Sequence, residues 1–156
     1  MSVVKVGPFG GQAAGRVMDI SPNQPPAQLK NIEIWHNQTA GIITAIRFTY
    51  TNDQDDTFTV PNATNVWGDQ RSGSPQTIII DIDGGEYVTK MEGTHNGSHV
   101  SSLRITTNMR PSQWFGNQSK GNHSFSVPLN KGGILAFFVR ASNCINAIGV
   151  YVGSIE

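Results

Sequence analysis

The chain has 156 residues with 11 basic and 11 acidic side chains, so its formal charge is zero, and only 14% of its residues are charged. This balance, without a basic stripe, argues against nucleic acid or an anionic membrane as a partner. The length is typical of one domain with its own core, which we place at residues 1–156. No apolar run approaches the roughly 20 residues of a spanning helix, so no membrane insertion is expected.

Strands dominate the predicted secondary structure. In chain order they are Val3–Val6, Leu29–His36, Ile43–Thr51, Thr57–Val60, Gln76–Ile82, Tyr87–Glu92, Ser101–Thr107, Ser124–Val127, Ile134–Arg140 and Ala147–Gly153. They are rich in β-branched and aromatic residues, and turn residues separate them about every 8–12 positions. No segment has a sustained helical period with caps at both ends. An all-β fold is therefore predicted, either a sandwich, a barrel or a prism.

A short pattern recurs three times, at Ala40–Phe48, Gly97–Ile105 and Ser142–Val150. Each copy begins with a small residue, continues after a three-residue gap with a polar residue, and ends in an alternating apolar strand. The copies are offset by 57 and 45 residues, a period typical of a repeated supersecondary unit. Because an apolar segment precedes each copy, we predict three equivalent hairpins. The motif strands should lie in three separate sheets around a pseudo-threefold axis.

Small groups of acidic and histidine residues raise the question of a metal site. They are Asp53, Asp55 and Asp56; Asp81, Asp83 and Glu86; and His95 with His99. The acidic groups lack the spacing of a calcium loop, and the histidine pair lacks a third ligand. Solvated turn residues explain them better, so neither a metal nor a cofactor is expected. The chain also lacks a nucleophile elbow and a phosphate loop, which argues against an enzyme.

Three tryptophans and the lone cysteine are further candidates for function. Trp35 lies in a predicted strand and is expected in the core, whereas Trp67 and Trp114 lie in polar segments. The latter two could stack on the apolar face of a sugar. Cys144, the single cysteine, excludes an internal disulfide framework. It is interpreted as a small apolar filler, with a reactive thiol as the alternative.

The signals for cellular location point in two directions. The first residues do not resemble a signal peptide, which favours the cytosol. Against this, N-x-S/T triplets begin at Asn37, Asn62, Asn96, Asn117 and Asn122, and such triplets accept glycans in secreted proteins. We expect a cytoplasmic protein, with secretion as the alternative.

Three segments carry a resemblance to a known family. They are the Gly-rich stretch Lys5–Gln12, the segment Ala136–Arg140 with its Phe-Phe-x-Arg sequence, and the ending Asn146–Tyr151. With these, the chain resembles the jacalin-related lectins, and most of all their mannose-specific, single-chain, cytosolic branch. The resemblance implies a β-prism I fold, in which three Greek-key sheets surround a pseudo-threefold axis. It also implies carbohydrate binding without catalysis.

The resemblance also implies where a sugar would bind. Family members hold a monosaccharide with the backbone amides and the Asp of a Gly-x-x-x-Asp loop, helped by an amide from an N-terminal Gly-Gly loop. Here the first loop reads Ser142–Asn146, with Asn in place of Asp, and the second reads Gln12–Gly15. Pairing of the terminal segments should bring both loops to one end, together with His95–His99. The candidate binding residues are Ala14, Gly15, His95, Asn96, Ser142, Asn143, Cys144 and Asn146.

Two functions follow from these loops. The first is a lectin for mannose/glucose-type sugars or glycans built from them, with altered or weakened specificity, because a neutral Asn146 accepts about half as strongly as a carboxylate. A homodimer would then supply avidity. The alternative is a jacalin-fold module that has lost sugar binding and recognises proteins.

Overall fold

The computed structural model describes residues 3–13, 15–20, 28–52, 56–69 and 75–155. This part of the chain consists of antiparallel strands and a single-turn 3-10 helix at Gln118–Lys120. The strands are β1 (Val3–Gly10), β2 (Arg16–Met18), β3 (Gln28–Asn37), β4 (Ile42–Thr51), β5 (Thr57–Val60), β6 (Trp67–Gly68), β7 (Gln76–Ile79), β8 (Val88–His95), β9 (Val100–Thr107), β10 (Phe115–Gly116), β11 (His123–Pro128), β12 (Gly133–Ala141) and β13 (Ile145–Gly153).

The all-β prediction is confirmed, and each of the predicted strands overlaps a strand of the structure. The strands that sequence reasoning missed are β2, β6 and β10, which have two or three residues each. Segments this short contain too few residues to show a period of two. They form because longer neighbouring strands offer them hydrogen-bonding partners.

Three long hairpins, β3–β4, β8–β9 and β12–β13, contain the three motif copies. Each hairpin has two register shifts at the same relative positions. The first shift follows Leu29, Val88 or Ile134, and the second follows Trp35, Thr94 or Arg140. Since a β-bulge adds twist where it occurs, equal spacing of the bulges gives the hairpins the same shape. The repeat seen in the sequence is therefore a repeat of backbone structure.

Shorter strands complete three units around these hairpins. Unit 1 comprises β3 to β7, unit 2 comprises β8 to β11, and unit 3 comprises β1, β2, β12 and β13. Units 2 and 3 are continuous through one residue pair, Ile134 with Val88, so hydrogen bonding joins them into one sheet. The three sheet regions are thus present, but only unit 1 is a separate sheet among the described strands. The motif strands β4, β9 and β13 are not neighbours in either sheet.

Apolar side chains from the units meet in one core. Phe48 of unit 1 stacks on Phe137 of unit 3 with ring centroids 4.8 Å apart. Beside this pair, the buried Tyr50 hydroxyl accepts a hydrogen bond from the Phe137 N–H over 3.3 Å. Unit 2 contributes the buried Leu103 and Phe115. Each unit packs its apolar side against the other two units. No unit could therefore bury this side alone.

An aromatic residue followed by glycine recurs beside each motif strand, at Phe9–Gly10, Trp67–Gly68 and Phe115–Gly116. The glycines have positive φ, and a Cβ on Gly10 would lie 2.4 Å from the carbonyl oxygen of Asn146. Only glycine therefore permits this approach. Trp67 is 5% exposed, so its interpretation as a sugar-stacking loop residue is wrong, whereas Trp35 is buried as expected.

Candidate functional site

The predicted convergence of three loops is present at one end of the molecule. The Gly11 N–H donates to the Asn146 carbonyl oxygen over 2.8 Å, which joins the N-terminal loop to the last motif copy. Asn146 Nδ2 donates to the carbonyl oxygen of Ser98 over 3.1 Å, which adds the loop of the second copy. Gly15 packs so closely that a Cβ there would lie 2.5 Å from Asn146 Oδ1. Asn146 is therefore the residue that holds the three loops together.

The side chain of Asn146 is used internally. Its Oδ1 accepts from the Ser142 hydroxyl over 2.9 Å, while its Nδ2 donates to Ser98. The residue is only 3% exposed. Ser142 and Asn146 are the two positions that depart from the Gly-x-x-x-Asp pattern, and they bind each other. The resemblance implies that the side-chain oxygen at position 146 accepts from a sugar hydroxyl. In this structure the Ser142 hydroxyl already donates to that oxygen, Asn146 Oδ1.

Two backbone amides of the same loop remain available. The Ser142 N–H donates to the Cys144 carbonyl oxygen over 3.0 Å, which closes a tight turn. Within the described residues, the N–H groups of Asn143 and Cys144 have no acceptor. Ser142 and Asn143 are exposed and Cys144 is half-buried. The turn therefore presents hydrogen-bond donors on a fixed backbone, as recognition of sugar oxygens requires.

Burial raises the pKa of the Cys144 thiol, and a hydrogen bond with Ser142 partly opposes this. The thiol is therefore protonated at neutral pH, and a protonated thiol is a poor nucleophile. Its Sγ lies 3.8 Å from Asn146 Nδ2. These features support the interpretation of Cys144 as a small filler rather than a reactive thiol.

Local hydrogen bonds shape the loop that follows β8. Asn96 Oδ1 accepts from the N–H groups of Ser98 and His99 over 2.9 and 3.0 Å. His95 Nδ1 accepts from the Gly97 N–H over 3.0 Å. These bonds fix the position of the Ser98 carbonyl oxygen, which accepts the hydrogen bond from Asn146 Nδ2. His95 and Asn96 therefore lie beside the site, where they position its backbone.

Stacked rings pack beside the loop that follows β8. The His95 ring lies 4.9 Å from the His123 ring and 6.3 Å from Phe125, which in turn stacks on Phe9 at 5.3 Å. Burial lowers the pKa of His95, and the neighbouring His123 lowers it further. The neutral imidazole is therefore favoured, which suits its role as acceptor for the Gly97 N–H.

The structure brings together all the described candidate residues, while Ala14 lies outside the described residues. Two contributors were missed. Gly11 packs against Ser98, whose carbonyl oxygen would lie 2.3 Å from a Cβ at that position. Arg140 Nη2 donates to the Gly15 carbonyl oxygen over 3.1 Å. The Gly-rich N-terminal stretch could have indicated Gly11, but no local pattern links Arg140 to a loop 125 residues away.

The groups considered as metal ligands have other roles where they are described. Glu86 is buried and accepts from the Asp81 N–H over 2.8 Å and from the Thr107 hydroxyl over 2.6 Å. Asp53 and Asp55 lie outside the described residues. Over residues 3–13, 15–20, 28–52, 56–69 and 75–155, no three His, Cys, Asp or Glu side chains are grouped so that they could hold a metal ion. No helix of this part is long and apolar enough to cross a membrane.

Comparison with known proteins gives consistent results. Residues 6–151 match the Jacalin-like lectin domain. Horcolin from Hordeum vulgare is 32% identical over 155 residues, which cover 96% of each chain. A mannose/glucose-specific lectin from Parkia pendula is 34% identical over 88 residues, or 52% of this chain and 19% of that lectin.

Among solved structures, a mannose-binding jacalin-related lectin from Ananas comosus superimposes with a TM-score of 0.82 at 31% identity, covering 98% of this chain and 99% of that one. The fold of the three units is therefore the β-prism of these lectins. Together with the domain match over almost the whole chain, this shows that the chain belongs to the jacalin-like lectin family of non-enzymatic carbohydrate-binding proteins.

Proposed function

We propose that the chain is a lectin for mannose/glucose-type glycans, which it binds at the end where Gly15, Ser98 and Asn146 meet. The observation that carries this proposal is the pair of available N–H groups at Asn143 and Cys144, on a turn fixed by Asn146. Relatives described as mannose-binding and mannose/glucose-specific support the choice of sugar class.

The chemistry of the loop favours a weak site. Backbone amides donate to sugar oxygens, and the exposed Ser142 and Asn143 side chains add neutral polar groups. No carboxylate is present in the loop, and neutral hydrogen bonds are weaker than charge-assisted ones by about 1–2 kcal/mol. A single monosaccharide would therefore bind at least about tenfold more weakly than at a site with Asp.

Weak single sites become effective when they are linked, so we include a homodimer in the proposal. Strand β1 offers a surface for it. Among the described strands, β1 pairs only with β13, which leaves its other edge open. Val3 and Val4 on this strand are 39% and 57% exposed. An open edge with apolar side chains is suited to pairing with a second copy, and sedimentation analysis would measure the oligomeric state.

A glycan array with the purified chain tests the sugar class. Signals on mannose- and glucose-terminated glycans, with none on galactose-terminated ones, are the expected result. Calorimetric titration with methyl α-mannopyranoside then measures the affinity of a single site. Binding confined to galactosides, or no binding to any glycan, would contradict the proposal.

The second candidate is a protein-interaction module that has lost sugar binding. The specific observation in its favour is that Asn146 is buried and has both amide atoms engaged within the chain. An array without signal, together with capture of a defined protein that Asn143 variants no longer bind, would favour this candidate.

We also propose that the chain works in the cytosol. Several of its N-x-S/T triplets form local turns, so their presence has a structural explanation other than glycosylation. Asn62 Oδ1 accepts from the Thr64 N–H and hydroxyl, and Asn117 Oδ1 accepts from both donors of Ser119. These are Asx turns, in which an Asn side chain accepts a hydrogen bond from the backbone two residues later, so Asn is favoured there for a structural reason. Expression with a fluorescent tag in plant cells, followed by glycosidase digestion, tests the location.

A further inference from the structure

A groove of about 360 Å³ lies on unit 2, and no residue of the Ser142–Asn146 loop is among its lining residues. One side is formed by Trp114 and Gln118, and the other by Ser124 and Ser126 of β11. Glu92 and Thr94 of β8 lie between them. The lining also includes Gly93 and the buried Phe125. It thus combines aromatic rings with hydroxyl, amide and carboxylate groups, and the volume falls in the range of about 300–1,000 Å³ for small-molecule sites.

Neighbouring charges hold the Trp114 ring in place. The Arg104 guanidinium lies over this ring, 4.9 Å from its centroid. Arg104 Nε also donates to Glu92 Oε2 over 3.1 Å, and Nη2 lies 3.0 Å from the same oxygen in the ion pair. The ring and the carboxylate are therefore fixed relative to each other by one arginine, and a ligand would not have to order them. Trp114 is half-buried, so part of the indole remains accessible.

Among the three units, an aromatic residue immediately before the aromatic-glycine pair is particular to unit 2. Unit 1 has the same ion pair, because Arg47 donates to both oxygens of Glu33 over 2.8 and 2.9 Å. However, Val66 precedes the aromatic-glycine pair of unit 1, where Trp114 precedes that of unit 2. The position therefore carries an aromatic ring without any requirement from the fold.

Unit 3 differs further. Its equivalent positions are Phe138 and Gly149, which pair across β12 and β13. Phe138 is 2% exposed and lies beneath the Lys5 ammonium, 4.2 Å from the ring centroid. The residue before its aromatic-glycine pair is Pro8. The outer face of unit 3 is thus covered at the place where unit 2 has a groove.

We propose that the groove of unit 2 is a second carbohydrate site, which binds one pyranose ring of a glycan. A pyranose has an apolar C–H face that packs on an aromatic ring and a rim of hydroxyls that need polar partners. The groove offers the Trp114 indole for the face. It offers the Glu92 carboxylate, the Gln118 amide and the hydroxyls of Ser124 and Ser126 for the rim. This site does not depend on sugar binding at the Asn146 loop.

The charge of the groove supports a neutral ligand. Glu92 is paired with Arg104 and lies 3.6 Å from Lys90, so the site has no unpaired carboxylate to attract a cation. An anion would meet the Glu92 carboxylate among the lining groups. Neutral hydroxyls can use both members of the ion pair, since each keeps hydrogen-bonding capacity beyond the pair.

Nuclear magnetic resonance of the indole N–H groups tests the proposal directly. Trp35 and Trp67 are 3% and 5% exposed, so Trp114 is the accessible tryptophan of the chain. Titration with methyl α-mannopyranoside and methyl β-galactopyranoside should shift the Trp114 resonance with at least one of them and leave the other two unchanged. The same shift should persist in Gly15→Ala, which disables the loop site. Failure of the loop site is thereby distinguishable from failure of the groove.

Variants of the groove complete the experiment. In Trp114→Ala, the pyranoside affinity should fall about tenfold, as measured from the shifts of the Thr94 and Ser124 amides during titration. Trp114→Phe should retain part of the binding because a ring remains. Val66→Ala, the matched change in unit 1, should have no effect on binding. A Trp114 resonance that neither pyranoside moves overturns the proposal, and so does one that adenosine moves while both pyranosides leave it unchanged.

Discussion

The Nδ2 of Asn146 donates to the carbonyl oxygen of Ser98 over 3.1 Å, and this bond joins two loops that are 48 residues apart in sequence. It connects the last motif copy in unit 3 to the second copy in unit 2. The bond requires a donor at position 146, which an amide provides and a carboxylate does not. The presence of Asn at the position where the resemblance implies Asp therefore has a structural consequence beyond its weaker acceptor.

Asn146→Asp should destabilise the fold. The change removes the donor to Ser98 and places a carboxylate oxygen near the Ser98 carbonyl oxygen in a buried position. We expect the free energy of unfolding to fall by about 1–3 kcal/mol, as measured by urea denaturation at pH 7. The loop pattern alone suggests that Asp would strengthen mannose binding, because a carboxylate is a stronger acceptor. Loss of the bond to Ser98 would loosen the site and offset this gain in affinity.

Asn143→Asp is the matched control for this change. It introduces the same carboxylate three residues earlier in the loop, at an exposed position. Its stability should stay within about 0.5 kcal/mol of the original chain. Equal stability of the two variants would contradict the structural role that we assign to Asn146.

Gly15→Ala should abolish sugar binding at the loop site. Gly15 has φ of +79°, and a Cβ there would lie 2.5 Å from Asn146 Oδ1 and 2.8 Å from the Ala141 carbonyl oxygen. The N-terminal loop must therefore move away from the Ser142–Asn146 turn. Gly85→Ala is the control, since Gly85 has φ of +82° but has nothing within 4 Å of the added Cβ. Both variants should lose about 1–2 kcal/mol of stability, and calorimetry with methyl α-mannopyranoside should show a loss of affinity in Gly15→Ala alone.

Acidic pH should weaken the site through His95. Its pKa is lowered by burial and by His123, so the folded state favours the neutral ring. This contribution to stability is fully present above the unfolded pKa of about 6.5 and is lost as the pH falls through the lower folded value. Protonation also removes the acceptor for the Gly97 N–H. Stability and sugar affinity should therefore both decline between about pH 7 and pH 5.

His95→Gln provides the control for this pH dependence. A glutamine does not titrate, and its amide oxygen can accept a hydrogen bond. The variant should show a shallower decline in stability and affinity over the same pH range. A decline as steep as that of the original chain would assign the effect to another group.

Tyr50→Phe should destabilise the core between units 1 and 3. The hydroxyl accepts from the buried Phe137 N–H, and its removal leaves this donor without a partner, at a cost of about 1–3 kcal/mol. Burial raises the pKa of Tyr50, so the hydroxyl stays protonated. Tyr87→Phe is the control, because the Tyr87 hydroxyl has no hydrogen-bond partner among the described residues. Thermal unfolding of both variants should show a clear drop in Tm for Tyr50→Phe only.

Local patterns were sufficient to predict most of the strands and the threefold repeat. Ile43–Thr51 largely alternates apolar and polar residues, whereas Ile134–Arg140 is a short continuous apolar run rich in aromatic and β-branched residues, and both patterns indicate strands. The motif copies were visible because equivalent hairpins bury equivalent positions. Convergence of the loops at Gly15 and Asn146 was also predicted, because the fold that the resemblance implies needs the two terminal segments to pair and complete one sheet.

The tertiary structure alone decided how individual side chains are used. Trp67 and Trp114 both lie in polar segments, yet the former pairs with β4 in the core and the latter lines an open groove. Asn146 was predicted to face a sugar, whereas Ser98 and Ser142 engage its amide. These outcomes depend on contacts between residues that are far apart in sequence. A local pattern records which side of a strand is apolar, but it contains no information on which distant loop will approach that side.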